Sequence, residues 1–321
     1  MTDKEKYTHF CETHPLVPVY MRNWWLDCNC GANRWNVLLY ENGNGGIEAF
    51  MTYFIPYARV IAMPYYSQSM GIWFNPEYND LDIVNNTKRK HTVCNWFIER
   101  LPSFEAYRQN FHYTFTDWLP FYWKGFKQTT RYTYVIPDIS DTDALWKGLH
   151  SSVRKNINRA RNHYKLTVRK DISYDDFFSV YNKTYQRQNI KTPGANGLKK
   201  IIEACEQRNQ GSMWGAYDGE NRLHAVLFVA WQDSCAYGIA SGRDPDIPNS
   251  EAQTLLHWEC IRFYSGISKS FDFQGSMMIN VEYFFRKFGG ILYPYFQITK
   301  GKRRVRGTVN AIWYKLFEKK N

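Results

Sequence analysis

The sequence has no apolar run approaching the roughly 20 residues that a membrane-spanning helix requires, so no transmembrane segment is expected. Its opening, Met-Thr-Asp-Lys-Glu-Lys, lacks the apolar stretch of a secretory leader. There is no Gly-x-Ser-x-Gly elbow, no phosphate-binding P-loop and no dinucleotide fingerprint. Those absences remove the usual signatures of α/β-hydrolases, P-loop enzymes and Rossmann dehydrogenases. The seven cysteines are odd in number and scattered, and Cys205, Cys235 and Cys260 lie in apolar settings. They read as reduced thiols of a cytoplasmic protein, not as a disulfide framework. Cys11, His14, Cys28 and Cys30 match no standard zinc spacing, so no metal is expected.

What is present is a chain of 321 residues, 44% hydrophobic, long enough for two domains or one large one. Its 12 Trp, 24 Tyr and 21 Phe are more rings than cores alone call for, so some are expected to line grooves. Lys and Arg exceed Asp and Glu by 41 to 30, a net charge of +11. This favours an anionic partner, such as a phosphate-bearing cofactor, RNA or an anionic membrane face touched peripherally. A basic but indifferent surface is the plainer reading.

The organising stretch is 212–290. Ser212–Tyr217, Arg222–Trp231 and Cys235–Ser241 read as an antiparallel meander, broken at Asp218-Gly219 and Gln232-Asp-Ser234. The middle run is apolar on both faces and should be covered on both. The polar loop 242–249 leads to a helix whose start, Ser250-Glu-Ala-Gln253, has a capping-box pattern. A short strand at Ser270–Phe273 and a helix near Asn280–Phe288, stopped by Gly289-Gly290, complete the stretch. Ligands in strand–loop–helix units sit where the loop meets the helix N-terminus. An active site is therefore expected among Ser241, Gln274 and that helix start.

Upstream, residues 1–33 read as irregular apart from a short helix near Val17–Leu26. A hairpin at 35–55, extended segments at 59–64 and 70–74, a helix at 88–101 and strands at 107–115 and 125–136 follow. Pro137-Asp-Ile-Ser-Asp141 marks a junction between an N-terminal domain, 1–138, and a C-terminal domain, 139–321. Thr142–Asn162 reads as one helix with an apolar stripe from Leu145 to Ala160 and a basic surface carrying Arg154, Lys155, Arg159 and Arg161. Those cations either meet the helix dipole or contact an anion. Ser173 caps a helix running to about Asn189, and 196–210 forms another. Strands at 291–299 and 308–317 end the chain, joined by basic 300–306.

This element order is similar to the GNAT acyltransferase fold. The residues resemble the narrower FemAB-like, GNAT-related transferases. The stretches that carry the likeness are Val153-Arg-Lys-Asn-Ile-Asn-Arg-Ala-Arg161, Phe177…Tyr185-Gln-Arg187, Ser241…Leu255-Leu-His-Trp258, Phe271-Asp-Phe-Gln-Gly-Ser276 and Phe284-Phe-Arg-Lys-Phe-Gly289. The resemblance implies an α/β (α+β) protein of tandem GNAT-like domains, with mixed, mostly antiparallel sheets flanked by helices. It implies transfer of an acyl or aminoacyl group to an amine acceptor. The donor is acyl-CoA or, in peptidoglycan-bridge members acting on a cell-wall precursor, an aminoacyl-tRNA.

The sequence also departs from the family. The loop before the helix, Arg243-Asp-Pro-Asp-Ile-Pro-Asn-Ser250, lacks the glycines with which coenzyme A users wrap a pyrophosphate. Phe285 stands where the bridge enzymes carry lysine, with Arg286 and Lys287 beside it.

Amine acylation needs a proton acceptor, orienting groups and donors for the developing oxyanion. Asp272 and Glu282 are candidate acceptors. Gln274, Ser276 and Asn280 are candidates for orienting substrate, and Tyr185 is a candidate acid for the leaving group. Arg154, Arg159, Arg161, Arg187, Ser241, Arg243, Ser250 and Lys287 are candidates for holding donor or acceptor. Each also has a structural reading as cap, core or solvated charge. A different class of function, a non-catalytic module binding nucleic acid or an anionic glycan, fits the charge and the rings equally well.

Overall fold

The computed structural model describes residues 1–78, 82–187, 191–275 and 277–301. They divide into two units, Met1–Arg131 with the segment from Pro294, and Tyr132–Tyr293.

In the first unit, Thr2 and Glu5 form a reciprocal capping box that starts α1 (Asp3–Thr13). A single 3-10 turn and α2 (Asn23–Cys30) follow, so this region is far more helical than its composition suggests. β1 (Trp35–Glu41) and β2 (Ile47–Tyr57) pair antiparallel across the expected turn. There Asn42 Oδ1 accepts from the amides of Asn44 and Gly46 at 3.0 and 2.8 Å. β3 (Val60–Ala62) and β4 (Gly71–Phe74) both pair antiparallel with β2. α3 (Ile83–Arg100) starts earlier than its periodicity indicates, because Asp82 caps the amides of Val84 and Asn85. The exposed pair Ile83-Val84 hides that start in the sequence. β5 (Ala106–Asn110) lies parallel to β3, and α4 (Leu119–Trp123) packs against α3. Met51, Ile61, Ile72, Val93, Phe97, Tyr107, Phe111, Phe121 and Phe126 fill the core. β6 (Lys127–Ile136) then carries the chain into the second unit.

There the helix expected over 142–162 is two, α5 (Thr142–Gly148) and α6 (Ser151–Asn162). His150 Nδ1 accepts from the Ser152 amide at 3.3 Å and starts α6 afresh. Val153, Ile157 and Ala160 form the buried stripe. β7 (Thr167–Lys170) precedes α7 (Tyr174–Gln186), which Ser173 caps by accepting from the Asp176 amide at 3.0 Å. α8 (Ala195–Gln207) leads into the meander of β8 (Gly211–Tyr217), β9 (Leu223–Gln232) and β10 (Cys235–Arg243). β9 is buried on both faces, and α7 and α9 (Ala252–Tyr264) pack on it. β11 (Ser270–Asp272) lies between β10, to which it is parallel, and β6, to which it is antiparallel. α10 (Ile279–Phe285) ends through a 3-10 turn at Gly289, whose φ is +82°.

β12 (Ile291–Gly301) returns to the first unit and pairs antiparallel with β5. A cut at residue 138 assigns this strand to the second half, but its hydrogen bonds lie in the first. The strand expected at 308–317 and the basic positions 302–306 lie outside the described residues.

Candidate functional site

β10 and β11 run together only briefly. Cys235, Ala236 and Tyr237 face Ser270, Phe271 and Asp272, and β10 then continues to Arg243 alongside β9 alone. A bulge at Ile239 breaks the β9–β10 register where the two parallel strands part. The segment leaving β11 begins at this point, after Asp272. Phe271 and Phe273 are buried in the apolar core, and alternation along β11 turns Asp272, its last residue, to the other face.

Asp272 is fully buried. Its Oδ1 accepts from the Thr133 hydroxyl at 2.6 Å and from the Gln274 amide at 2.7 Å. Among the described residues its Oδ2 has no partner, and neither does the buried Nε2 of Gln274. Burial pushes the Asp272 pKa up to about 6, against the pull of those two hydrogen bonds. Gln274 and Gly275 adopt φ of +60° and +52°. Gly275 lies so close to β6 that a Cβ would fall 2.2 Å from the Tyr132 carbonyl oxygen. The close approach expected of this glycine is therefore to protein backbone, and it sets the turn that holds Gln274. Ser276 lies outside the described residues.

Further along β10, Gly242 packs under α7, where a Cβ would come within 3.0 Å of Tyr181 Cα and Thr184 Oγ1. Its neighbours Ser241 and Arg243 consequently face outward and are exposed. Tyr185 is half-buried, with its hydroxyl 3.1 Å from that of Tyr181, and burial raises its pKa. Lys183 ties α7 to the following loop through Asp244 and Asp246, at 2.7 and 2.8 Å. Gln253 joins α9 to the Gly242 carbonyl.

Ser250 does not cap α9. Glu251 precedes the helix with φ of +61° and no side-chain cap, while Ser250 Oγ lies 2.7 Å from His224 Nδ1. His224 Nε2 in turn lies 2.9 Å from Asp218 Oδ2. Burial works against the Asp218 charge, yet hydrogen bonds from His224 and Arg222 hold its carboxyl well below the usual range. With Asp218 ionised, His224 Nε2–H donates to it, while Nδ1 shares a hydrogen bond with the Ser250 hydroxyl. Sequence reasoning missed His224 and Thr133, although a lone histidine in an apolar strand, six residues after an Asp-Gly turn, was a signal.

The same loop tests the fit of a coenzyme A pyrophosphate. Pro245 and Pro248 bring no N–H, and the amides of Asp244, Asp246 and Glu251 already donate to His224 O, Asp244 Oδ1 and Asn249 Oδ1. The loop also carries two carboxylates, Asp244 and Asp246, and the cavity at the helix start holds about 10 Å³. These residues do not fit a pyrophosphate cradle. Among the described residues no cluster of His, Cys, Asp or Glu is placed to hold a metal.

Residues 149–283 match the family model of the acetyltransferase (GNAT) domain. Across 99% of this chain and 99% of the other, the structure is similar to FemX, with a TM-score of 0.64 at 11% identity. It is also similar to L-PGS from Bacillus licheniformis, with a TM-score of 0.56, 10% identity and coverage of 97% and 96%. A tandem GNAT protein from the clavulanic acid biosynthesis pathway gives a TM-score of 0.50, 9% identity and coverage of 92% and 93%. Residues 149–283 are a GNAT domain in a chain of Fem-like fold. No curated protein matches the sequence.

The basic residues of the GNAT domain are largely committed to protein partners. Arg154 donates to the carbonyls of Lys147, at 2.9 Å, and Leu149, and so closes the C-terminus of α5. Arg159 lies against Tyr164, and Arg161 pairs with Glu259 of α9. Lys287 stacks on Tyr283, while Arg187, Arg243 and Asn280 are exposed. Glu282 accepts from the Tyr134 hydroxyl at 2.7 Å. Arg154→Ala is expected to lower stability by about 1 kcal/mol, the scale of a lost hydrogen-bonded cap. Urea unfolding measures this, and a salt-dependent loss of ligand affinity at unchanged stability would contradict it.

Proposed function

We propose that the chain is an N-acyltransferase that moves an aminoacyl group from the ester of an aminoacyl-tRNA to an amine. The observation that supports this most is the pair of buried polar atoms, Asp272 Oδ2 and Gln274 Nε2, that have no partner among the described residues, just past the end of β11. Unsatisfied buried groups are costly, and a substrate amine and carbonyl are the partners such a pair suits. The loop that does not fit a pyrophosphate favours the tRNA ester over acyl-CoA.

In this reading the neutral amine attacks the ester carbonyl and forms the new C–N bond. Gln274 Nε2 donates to the carbonyl oxygen as it gains charge. The amine proton passes to Asp272 Oδ2, the C–O bond breaks, and the ribose oxygen leaves with a proton from Tyr185. Asp272 then returns its proton to Tyr185, directly or through solvent. Arg187 and Arg243, exposed at the end of α7 and on β10, meet the donor's phosphates. The C-terminal domain carries this chemistry, and the acceptor is an amine of the cell-wall-precursor kind.

The test is label transfer from aminoacyl-tRNA and, separately, from acetyl-CoA to a panel of amines that includes a peptidoglycan precursor. Transfer from the tRNA ester alone is the expected result. Transfer from acetyl-CoA alone would overturn the donor. Tight nucleic-acid or glycan binding with no transfer from either donor would replace the enzyme with a binding module.

A further inference from the structure

α4 of the first unit presents an exposed aromatic surface that acyl transfer does not require. Phe121 is fully buried against Phe111 and Phe126, with ring centroids 5.1 Å from each, and Pro120 is buried beside it. Anchoring this short helix by Phe121 turns its other side chains outward. Leu119 is 44% exposed and Tyr122 and Trp123 are each 59% exposed. The Trp123 ring is braced edge-on by His91, 5.2 Å away, and Trp118 lies 5.5 Å from Tyr122. The rings are therefore held in place in water and are not collapsed into the core.

Cations border these rings. Lys124 follows directly, Lys127 is exposed, and Lys300 donates to the Lys124 carbonyl at 2.6 Å. Of the acids nearby, Glu99 pairs with Lys124 at 3.3 Å and Asp117 is hydrogen-bonded to His91 at 2.6 Å. Trp and Tyr with an apolar body and a polar tip, ringed by lysine, are the composition that settles at a lipid headgroup boundary. The charge of this patch complements an anionic leaflet, as does the net charge of +11.

We infer that α4 docks the protein on the surface of an anionic bilayer, with Tyr122 and Trp123 entering the headgroup layer and Lys127 and Lys300 facing lipid phosphates. The experiment is co-sedimentation of the full chain with phosphatidylcholine vesicles, with and without phosphatidylglycerol. Binding is expected only with phosphatidylglycerol present, and salt should weaken it. The Tyr122→Ser/Trp123→Ser double variant should bind at least about tenfold more weakly, and Lys127→Glu should weaken binding while leaving the rings in place. Both should keep the parent's circular dichroism and thermal midpoint, since these side chains are outside the core. Equal binding to both vesicle types, or a double variant that binds like the parent, would overturn the inference. So would self-association without vesicles that the double variant abolishes, which would make the patch an interface between copies.

Discussion

Asp272→Asn is expected to lower amine acylation about a hundredfold or more, the usual scale for losing a general base, while making the protein more stable at pH 7. The two halves of this expectation share a cause. The Asp272 carboxylate is fully buried, one of its oxygens has no partner among the described residues, and its pKa is raised to about 6. A folded-state pKa above the unfolded value means that the native protein binds the proton more tightly than the unfolded chain does. Stability from this group is then greatest at low pH and is lost as pH rises from about 4 to about 6. Above that range the buried charge costs on the order of 1–3 kcal/mol.

Asparagine keeps an oxygen for Thr133 and the Gln274 amide but carries no charge. Its advantage over aspartate should appear above pH 6 and vanish near pH 4. Thermal melts of both proteins across that range measure it, and a difference independent of pH would remove the charge from the explanation. In the parent, the acylation rate should climb with pH through about 6 as the base ionises. A flat rate profile, or full activity in the variant, would take Asp272 out of the chemistry.

Gly275→Ala is expected to be the most damaging single methyl in the GNAT domain. The new Cβ would lie 2.2 Å from the Tyr132 carbonyl oxygen and 2.8 Å from Thr133 Cα, both backbone atoms of β6. The residue also holds φ of +52°, where L side chains are strained. Overpacking and strain together should cost on the order of 3 kcal/mol or more. Urea unfolding is the direct measure, with Gly219→Ala as control, since a Cβ there meets nothing within 4 Å. The displaced turn should also carry Gln274 away from Asp272, so acylation per folded molecule falls as well. A variant as stable as the control would mean that β6 and this turn separate readily.

The sequence made much of this site visible, for local reasons. Asp218-Gly219 and Gln232-Asp-Ser234 punctuate the meander, so its strands stand within a residue or two of where they were expected. Phe271 and Phe273 alternate with Asp272 and Gln274, which separates an apolar face from a polar one before any coordinates are known. What stayed hidden is which strand lies alongside. Thr133 reaches Asp272 across 139 positions, and no periodicity in either segment specifies that pairing. Ser250 shows the same limit from the other side. Its spacing to Gln253 suits a helix cap, but His224, from a neighbouring strand, takes the hydroxyl instead. The N-terminal helices failed for a different reason. Aromatic side chains obscure the periodicity of 1–33, although the Thr2–Glu5 capping box was there to be read.

The return of β12 to β5 bears on how the chain is made. Gln297 bonds to Asn110 from 187 positions downstream. At ordinary rates of synthesis that interval is about 10–40 s. Throughout it, the edge of β5 that β12 will occupy has no partner from this strand, and open strand edges invite pairing with other chains. The second unit is a continuous stretch, Tyr132–Tyr293, and has all its residues before β12 is complete. On the ribosome the later unit can therefore mature first, and β5 of the earlier one is paired by β12 only afterwards.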